Sequence, residues 1–216
     1  MKYAIISDIH ANLKALEQVV EDAKVQGCTD TVCLGDIVGN GHQPKECLDL
    51  IRGLDIPCVK GNFDQYCAAT DSLDQFNQDT AEGLRWTREQ LTEEDRHWLG
   101  ALPLRQIISG FTVVHGSLDQ PERWEYVFDK HAAARSFPKQ STPVCFYGHT
   151  HVPVAFVCEK VVRGGTFTKF KIQEGAHYFI NVGSVGQPRD GIKKTAYVTY
   201  DLESSVVELR RLEGAG

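Results

Sequence analysis

No apolar run in this 216-residue chain approaches the ~18 residues that a membrane-spanning helix needs. The N-terminal stretch Met1 to Ile6 meets Ser7 and Asp8 before a signal-peptide core of about 7 residues can form, so no export signal is visible. Paired cysteines are lacking as well. The seven cysteines (28, 33, 47, 58, 67, 145 and 158) are odd in number, scattered, and contain no C-x-x-C. That pattern excludes a disulfide framework and argues against a structural zinc site; it fits reduced core thiols in a cytoplasmic protein. A basic excess is missing too. The net charge of −6 disfavours a broad electrostatic footprint on nucleic acid, but it leaves room for a phosphate-bearing substrate handled locally by metals. There is no internal repeat, no low-complexity tract and no linker rich in Pro, Gly or Ser. Hydrophobic content of 42% with 24% charged residues is that of a globular chain and excludes disorder, collagen and coiled coil. The length is that of one domain, residues 1–216, able to bury a full core.

What is present alternates strand and helix through the first sixty residues. Lys2 to Ser7 is a short apolar run ending at an aspartate, as in a buried strand. Leu13, Leu16, Val19, Val20 and Ala23 follow at helical spacing and stop before Gly27. Thr31 to Leu34 is a second strand, Pro44 opens a helix that ends at Gly53, and Ile56 to Lys60 is a third strand. Strand–helix–strand units of this length imply parallel pairing with helices on the sheet faces. Residues 64–103 are polar, with Leu84, Leu91, Trp98, Leu99 and Leu102 as a packing stripe and a capping box at Thr92 and Asp95. They predict two helices, an excursion over one face of the core. The second half predicts strands at Phe111–His115, Val144–Tyr147, Val154–Cys158, Thr166–Ile172, Tyr178–Val182, Ala196–Asp201 and Val206–Leu209. A parallel half followed by an antiparallel half suggests a four-layer α/β/β/α sandwich: two mixed sheets face to face, flanked by helices.

Five short segments carry the chemistry: Asp8-Ile9-His10, Gly35-Asp36, Gly61-Asn62, His115-Gly116 and Gly148-His149-Thr150-His151. Each ends an expected strand with a hard or imidazole ligand, usually beside a glycine, at the carboxyl edge where open α/β sheets build their sites. Residues two apart on extended backbone point the same way, so Asp8 can share a face with His10, and His149 with His151. Singly these segments have bland explanations: Asn62 as a turn residue, the histidines as satisfied core groups, Asp8 as a cap. Five together point to metal.

Two carboxylates, four imidazoles and one amide are too many ligands for one tetrahedral ion and suit two ions sharing a carboxylate, for which Asp36 is the candidate. One ion would take Asp8, His10, Asp36 and His151, the other Asp36, Asn62, His115 and His149. This donor mixture favours Mn, Fe, Zn, Ni or Co over Mg or Ca. Two divalent ions make the centre locally cationic inside an acidic protein, which suits a phosphate ester.

In order and content these segments resemble the calcineurin-like metallophosphoesterases, whose pattern is D-x-H, G-D, G-N-[H]-[D/E], H and G-H-x-H. Asn181 to Gly191 (NVGSVGQPRDG) is more loosely similar to the compact bacterial and archaeal, phosphodiesterase-like branch. The resemblance implies the same four-layer sandwich and a dinuclear phosphoesterase acting through a metal-bound hydroxide on small phosphate-ester or nucleotide substrates. Asp36 would be the catalytic bridge, and His10 would donate a hydrogen bond or relay a proton. One departure stands out: where many members carry histidine after G-N, held by the next acidic residue, this chain has Phe63 and then Asp64. Phenylalanine cannot protonate a leaving oxygen, a role typically worth about 10²–10⁴-fold. The loss should hurt monoesters more than diesters or phosphoanhydrides and leaves Asp64 without its usual task.

Arg189 is the candidate for substrate phosphate, its alternative being a surface arginine after Pro188. His42 could touch substrate or be solvated, Asn12 could orient His10 or cap a helix, and Trp124 and Tyr126 could wall a base. The competing functions are a phosphomonoesterase or protein phosphatase, which Phe63 disfavours, and a non-catalytic binding scaffold of the retromer-subunit kind, which an intact ligand set disfavours.

Overall fold

The computed structural model describes residues 1–213. The chain opens with β1 (Lys2–Ile6), α1 (Leu13–Val25), β2 (Asp30–Cys33) and α2 (Pro44–Gly53). Three helices follow, α3 (Asn62–Ala68), α4 (Gln78–Gln90) and α5 (Glu93–Ala101), then the hairpin of β3 (Arg105–Ile108) and β4 (Phe111–Val114). After α6 (Lys130–Ser136) come β5 (Val144–Tyr147), β6 (Val154–Cys158), β7 (Val162–Gly165), β8 (Lys169–Lys171), β9 (His177–Asn181), β10 (Thr195–Asp201) and β11 (Val206–Leu212).

The strands form two mixed sheets, ordered β2-β1-β10-β11-β8 and β3-β4-β5-β9-β6-β7. In the first, β1 and β2 are parallel, and β10 runs antiparallel to β1 with Tyr3 opposite Tyr200. In the second, β4, β5 and β9 are mutually parallel and the outer pairs antiparallel. Parallel and antiparallel pairing is therefore not divided between the halves of the chain, because β8, β10 and β11 return to the sheet that β1 began.

Period-2 alternation sorts the strand residues into layers. Tyr3 and Ile5, Phe111 and Val113, Phe146, Ile180, Val198 and Tyr200 form the core between the sheets. Their neighbours Ala4, Ile6 and Tyr197 face the other way, onto Leu16 and Val19 of α1 and Leu48 and Ile51 of α2. Val114, Tyr147 and Phe179 pack outward beneath Ala133 of α6. The result is the expected helix–sheet–sheet–helix sandwich. Leu84, Leu91 and Leu99 belong to the same core as α1 and α2, so the stripe over 64–103 is packing.

Some elements differ from expectation. Ile56 to Lys60 is not a strand: it meets β2 at one bridge, Cys33 to Cys58. Pro57 has no N–H to extend a ladder, and the Lys60 amide turns away to donate to the Pro103 carbonyl at 2.8 Å. The excursion holds three helices rather than two, since α3 starts within the G-N segment, where Asp64 accepts from the Gly61 amide at 2.9 Å. The strand expected over Thr166–Ile172 shrinks to Lys169–Lys171, and β3, β7 and α6 were not anticipated. Among the described residues no helix is long and apolar enough to cross a membrane.

Candidate metal centre

The carboxyl ends of four strands, two from each sheet, converge. β1 leads to Asp8 and His10, β2 to Asp36, β4 to His115, and β5 to His149 and His151; Asn62 arrives as the first residue of α3. Asp8, His10 and His115 are wholly buried, and Asp36, His149, His151 and Asn62 nearly so. The side chains fall into two groups, Asp8 with His10 and His151, and Asp36 with His115 and His149. Within each group the ligand atoms lie within 4.8 Å of one another.

Strand alternation is not what assembles them. Asp8 and His10 lie past the end of β1, and His149 and His151 past the end of β5. Asp8 (φ 54°), His10 (φ 47°), Asp36 (φ 52°), His149 (φ 66°) and His151 (φ 59°) all adopt left-handed backbone. Such residues cost about 1–3 kcal/mol each and persist only where the surroundings over-determine them. Here the surroundings are hydrogen bonds between the loops: Asp8 N–H to the Gly35 carbonyl at 3.0 Å and His10 N–H to the Asp36 carbonyl at 2.9 Å. The expected shared face of His149 and His151 is not formed, and the two imidazoles serve different groups. Close approach does require the neighbouring glycines. A Cβ on Gly61 would run into the Asp36 carboxylate, and one on Gly148 into Ser7 Oγ and the Asp8 carboxylate.

Asp36 lies between the groups. Its Oδ1 accepts from the Phe63 amide at 2.8 Å, while Oδ2 is 3.6 Å from His10 Nε2 and 3.3 Å from His115 Nε2. His10 Nε2 and His151 Nε2 face each other at 3.1 Å. Asp8 Oδ1 is buried without a hydrogen-bond partner, 3.2 Å from His151 Nε2 but not aligned with it. Asn62 Oδ1 is 3.1 Å from His115 Nε2. Lone pairs and an orphaned carboxylate oxygen converging in this way are what a cation satisfies, so the donor set fits metal.

The far side of each ring is held by a main-chain carbonyl, which fixes the ligating nitrogen. His115 Nδ1 donates to Leu34 O at 2.7 Å, His151 Nδ1 to Gln187 O at 2.5 Å, and His149 Nε2 to Trp124 O at 2.8 Å. This leaves Nε2 of His115 and His151, and Nδ1 of His149, to face the centre. Asn40 Nδ2 stands 3.4 Å from His10 Nδ1 and donates to Gln187 Oε1 at 3.3 Å.

The electrostatics follow from burial and this crowding. Burial would raise Asp8 and Asp36, but His151, His115 and His10 around Asp8, and His115 and His10 beside Asp36, keep both carboxyls below the usual range. Burial lowers His10 to about 4, against the pull of Asp36, and His149 to about 4, with His115 adding to the effect. At His115 burial is outweighed by Asp36 and Asp8, which hold it up at about 9.

Three positioning groups were not anticipated. Asp64 is far from idle: it accepts from the amides of Asp36 at 2.8 Å, Ile37 at 2.9 Å and Gly61 at 2.9 Å, clamping the Asp36 loop to α3. Burial and the Asp36 charge raise it to about 6. Asn181 Nδ2 donates to the Gly148 carbonyl at 2.6 Å, and Ser184 Oγ to the Asp8 carbonyl at 2.8 Å. The segment beginning at Asn181 is thus a strap across both ligand loops, and its polar residues between glycines were the available signal. Of the substrate candidates, Arg189 is exposed, and its amide donates to the His151 carbonyl at 3.3 Å. His42 is exposed, with its ring edge-on to Trp86 at 6.3 Å. Asn12 accepts from the Ala15 amide at 3.1 Å as the cap of α1. Trp124 lies edge-on to His115 at 6.0 Å and does not pair with Tyr126, whose ring stacks on His149.

A sandwich of two mixed sheets with two imidazole–carboxylate groups at its strand ends defines the class: the chain belongs to the calcineurin-like phosphoesterase superfamily, whose domain model matches residues 1–205. An uncharacterized protein of Methanocaldococcus jannaschii is 39% identical over 97% of this chain and 86% of its own length. The crystal structure of a metallophosphoesterase from Sphaerobacter thermophilus is 40% identical and superposes with a TM-score of 0.85, covering 99% of this chain and 88% of that one. A hypothetical protein from Pyrococcus horikoshii shares the fold at 20% identity, with a TM-score of 0.79 over 98% of this chain and 88% of its own.

Proposed function

We propose that the chain is a dinuclear metal-dependent phosphoesterase acting on phosphodiester or phosphoanhydride bonds of small, nucleotide-sized substrates. The observation that carries this is the position of Asp36 Oδ2, 3.6 Å from His10 Nε2 on one side and 3.3 Å from His115 Nε2 on the other. Asp8, His10, Asp36 and His151 would hold one divalent transition-metal ion, and Asp36, Asn62, His115 and His149 the second. Bound ions in such a pair supply Lewis acidity to the phosphoryl oxygens and a nucleophile at neutral pH.

The protein's own contribution is to orient and to withhold. The Phe63 amide holds Asp36 Oδ1, which turns Oδ2 toward both groups. Carbonyls of Leu34, Trp124 and Gln187 fix the tautomers of three of the histidines. The Phe63 ring stands edge-on to His10 at 5.1 Å and has no proton to give a leaving group. A poor leaving group, such as the alkoxide of a simple monoester, needs that proton most. Diesters and phosphoanhydrides with better leaving groups need it less, which supports them as substrates. Arg189, exposed beside the His151 loop and without an ion pair among the described residues, is the guanidinium available to a substrate phosphate.

The test compares kcat/KM on bis-p-nitrophenyl phosphate and p-nitrophenyl phosphate for Mn²⁺-loaded protein, with Asp36→Asn as background. A ratio well above one is expected. A ratio well below one would mean that the diester assignment is wrong.

A further inference from the structure

The loop between β4 and α6 displays two large apolar rings beside the metal centre, and the site geometry above gives them no task. Tyr126 is 50% exposed and Phe128 60%. Tyr126 lies flat on the imidazole of His149, with centroids 4.1 Å apart and planes 10° from parallel. Phe128 lies on Tyr126, 5.4 Å away and tilted by 15°. His149, Tyr126 and Phe128 thus form one column of near-parallel rings that starts at a candidate ligand and ends at solvent. Single exposed apolar residues are ordinary, but two stacked together at the mouth of a site are not.

The loop is built to hold them there. Trp124 and Val127 anchor it, while Tyr126 and Phe128, on either side of the buried Val127, are exposed. The Trp124 carbonyl accepts from His149, and the Val127 carbonyl from Tyr147 Oη at 2.9 Å, with the Val127 side chain buried. Between them Glu125 pairs with Arg135 of α6 at 2.7 Å. Three anchors in four residues fix the orientation of the column before any ligand arrives, which is what low-cost recognition by stacking requires.

We propose that the outer face of Phe128, backed by Tyr126, is a stacking platform for the base of a nucleotide ester whose phosphate sits at the metal centre. The proposal rests on the phosphoesterase reading for placing the phosphate. It adds the class of group attached to it, a planar aromatic base. Stacking is tolerant of which base is present, since every base has a π-face. The platform therefore selects nucleotides over alkyl and sugar phosphates without selecting one nucleobase by hydrogen bonding.

The experiment is an equilibrium titration of Mn²⁺-loaded protein with AMP and with ribose 5-phosphate, which differ only in the base. AMP should bind roughly tenfold tighter, in line with one stacked base. Phe128→Ala, which removes the outer ring without touching His149, should bring the two ligands to within about twofold, and Phe128→Trp should restore the preference. Equal affinity for the two ligands in the unaltered protein, or a preference that survives Phe128→Ala, would overturn the platform. Hydrolysis of bis-p-nitrophenyl phosphate on the same sample reports separately on the phosphoesterase reading. Turnover without a base preference sinks the platform alone, and a base preference without turnover sinks the hydrolase assignment while the platform stands.

Discussion

Phe63 does two unrelated jobs. Its amide holds Asp36 Oδ1, and its ring stands edge-on to His10 at 5.1 Å. Replacing the ring leaves the amide in place, so Phe63→His should keep the orientation of Asp36 while adding an acid. The rate of Phe63→His on an alkyl monoester such as glycerol 2-phosphate should rise roughly tenfold or more relative to its p-nitrophenyl phosphate rate, because only the alkoxide needs the proton. An unchanged ratio would show that protonation of the leaving group is not what the phenylalanine withholds. The carboxylates and imidazoles that the structure brings into two groups stood out at this scale because ligand chemistry limits which residue types can serve. Their backbone did not. D-x-H and H-x-H spacing suggests extended chain, yet five of the ligands are left-handed, a conformation imposed by neighbouring loops rather than by local sequence. Asp64 was misjudged for a related reason: its partners are amides, which no side-chain pattern records.

Helix α1 is tied to the first sheet by one carboxylate. Asp22 accepts from Tyr197 Oη at 2.6 Å on β10 and from Arg210 Nε at 3.3 Å on β11. Burial would raise this carboxyl, but the bonds from Tyr197 and Arg210 outweigh it and hold it below its ordinary value of 3.8. A carboxyl lowered in the folded state contributes stability that is complete above its unfolded value and is lost as pH falls through the folded one. Asp22→Asn should therefore destabilise the protein by about 1–2 kcal/mol at pH 7, a gap in denaturant unfolding that closes as pH drops below 3.8. A gap that persisted in acid would mean that the charge is irrelevant to the tie. Helices were the more legible elements. Pro44 and Gly53 bracket α2, and the Thr92–Asp95 capping box marks the start of α5. The missed elements carry weak local signals: β3 is an edge strand with alternate residues exposed, β7 is half glycine, and α6 spans only seven residues. Ile56 to Lys60 misled in the other direction, an apolar run in which Pro57 stops the ladder.

Across the whole molecule, the centre exists only when both sheets are in place. The first sheet supplies Asp8, His10 and Asp36, the second His115, His149 and His151, and the strap from Asn181 holds both sets of loops. That the two sheets stack was readable from strand count and alternation. That β10 would pair with β1 was not, because nearly the whole chain separates them. The central claim is that this junction holds two ions through Asp36, and metal binding tests it most directly. Metal-free protein titrated with Mn²⁺ by calorimetry, with metal content checked after gel filtration, should take up two ions per chain, as a shared-carboxylate pair requires. In Asp36→Asn both binding events should weaken together, because the carboxylate faces both groups. Uptake of a single ion, or two ions bound by Asp36→Asn with unaltered affinity, would contradict the account.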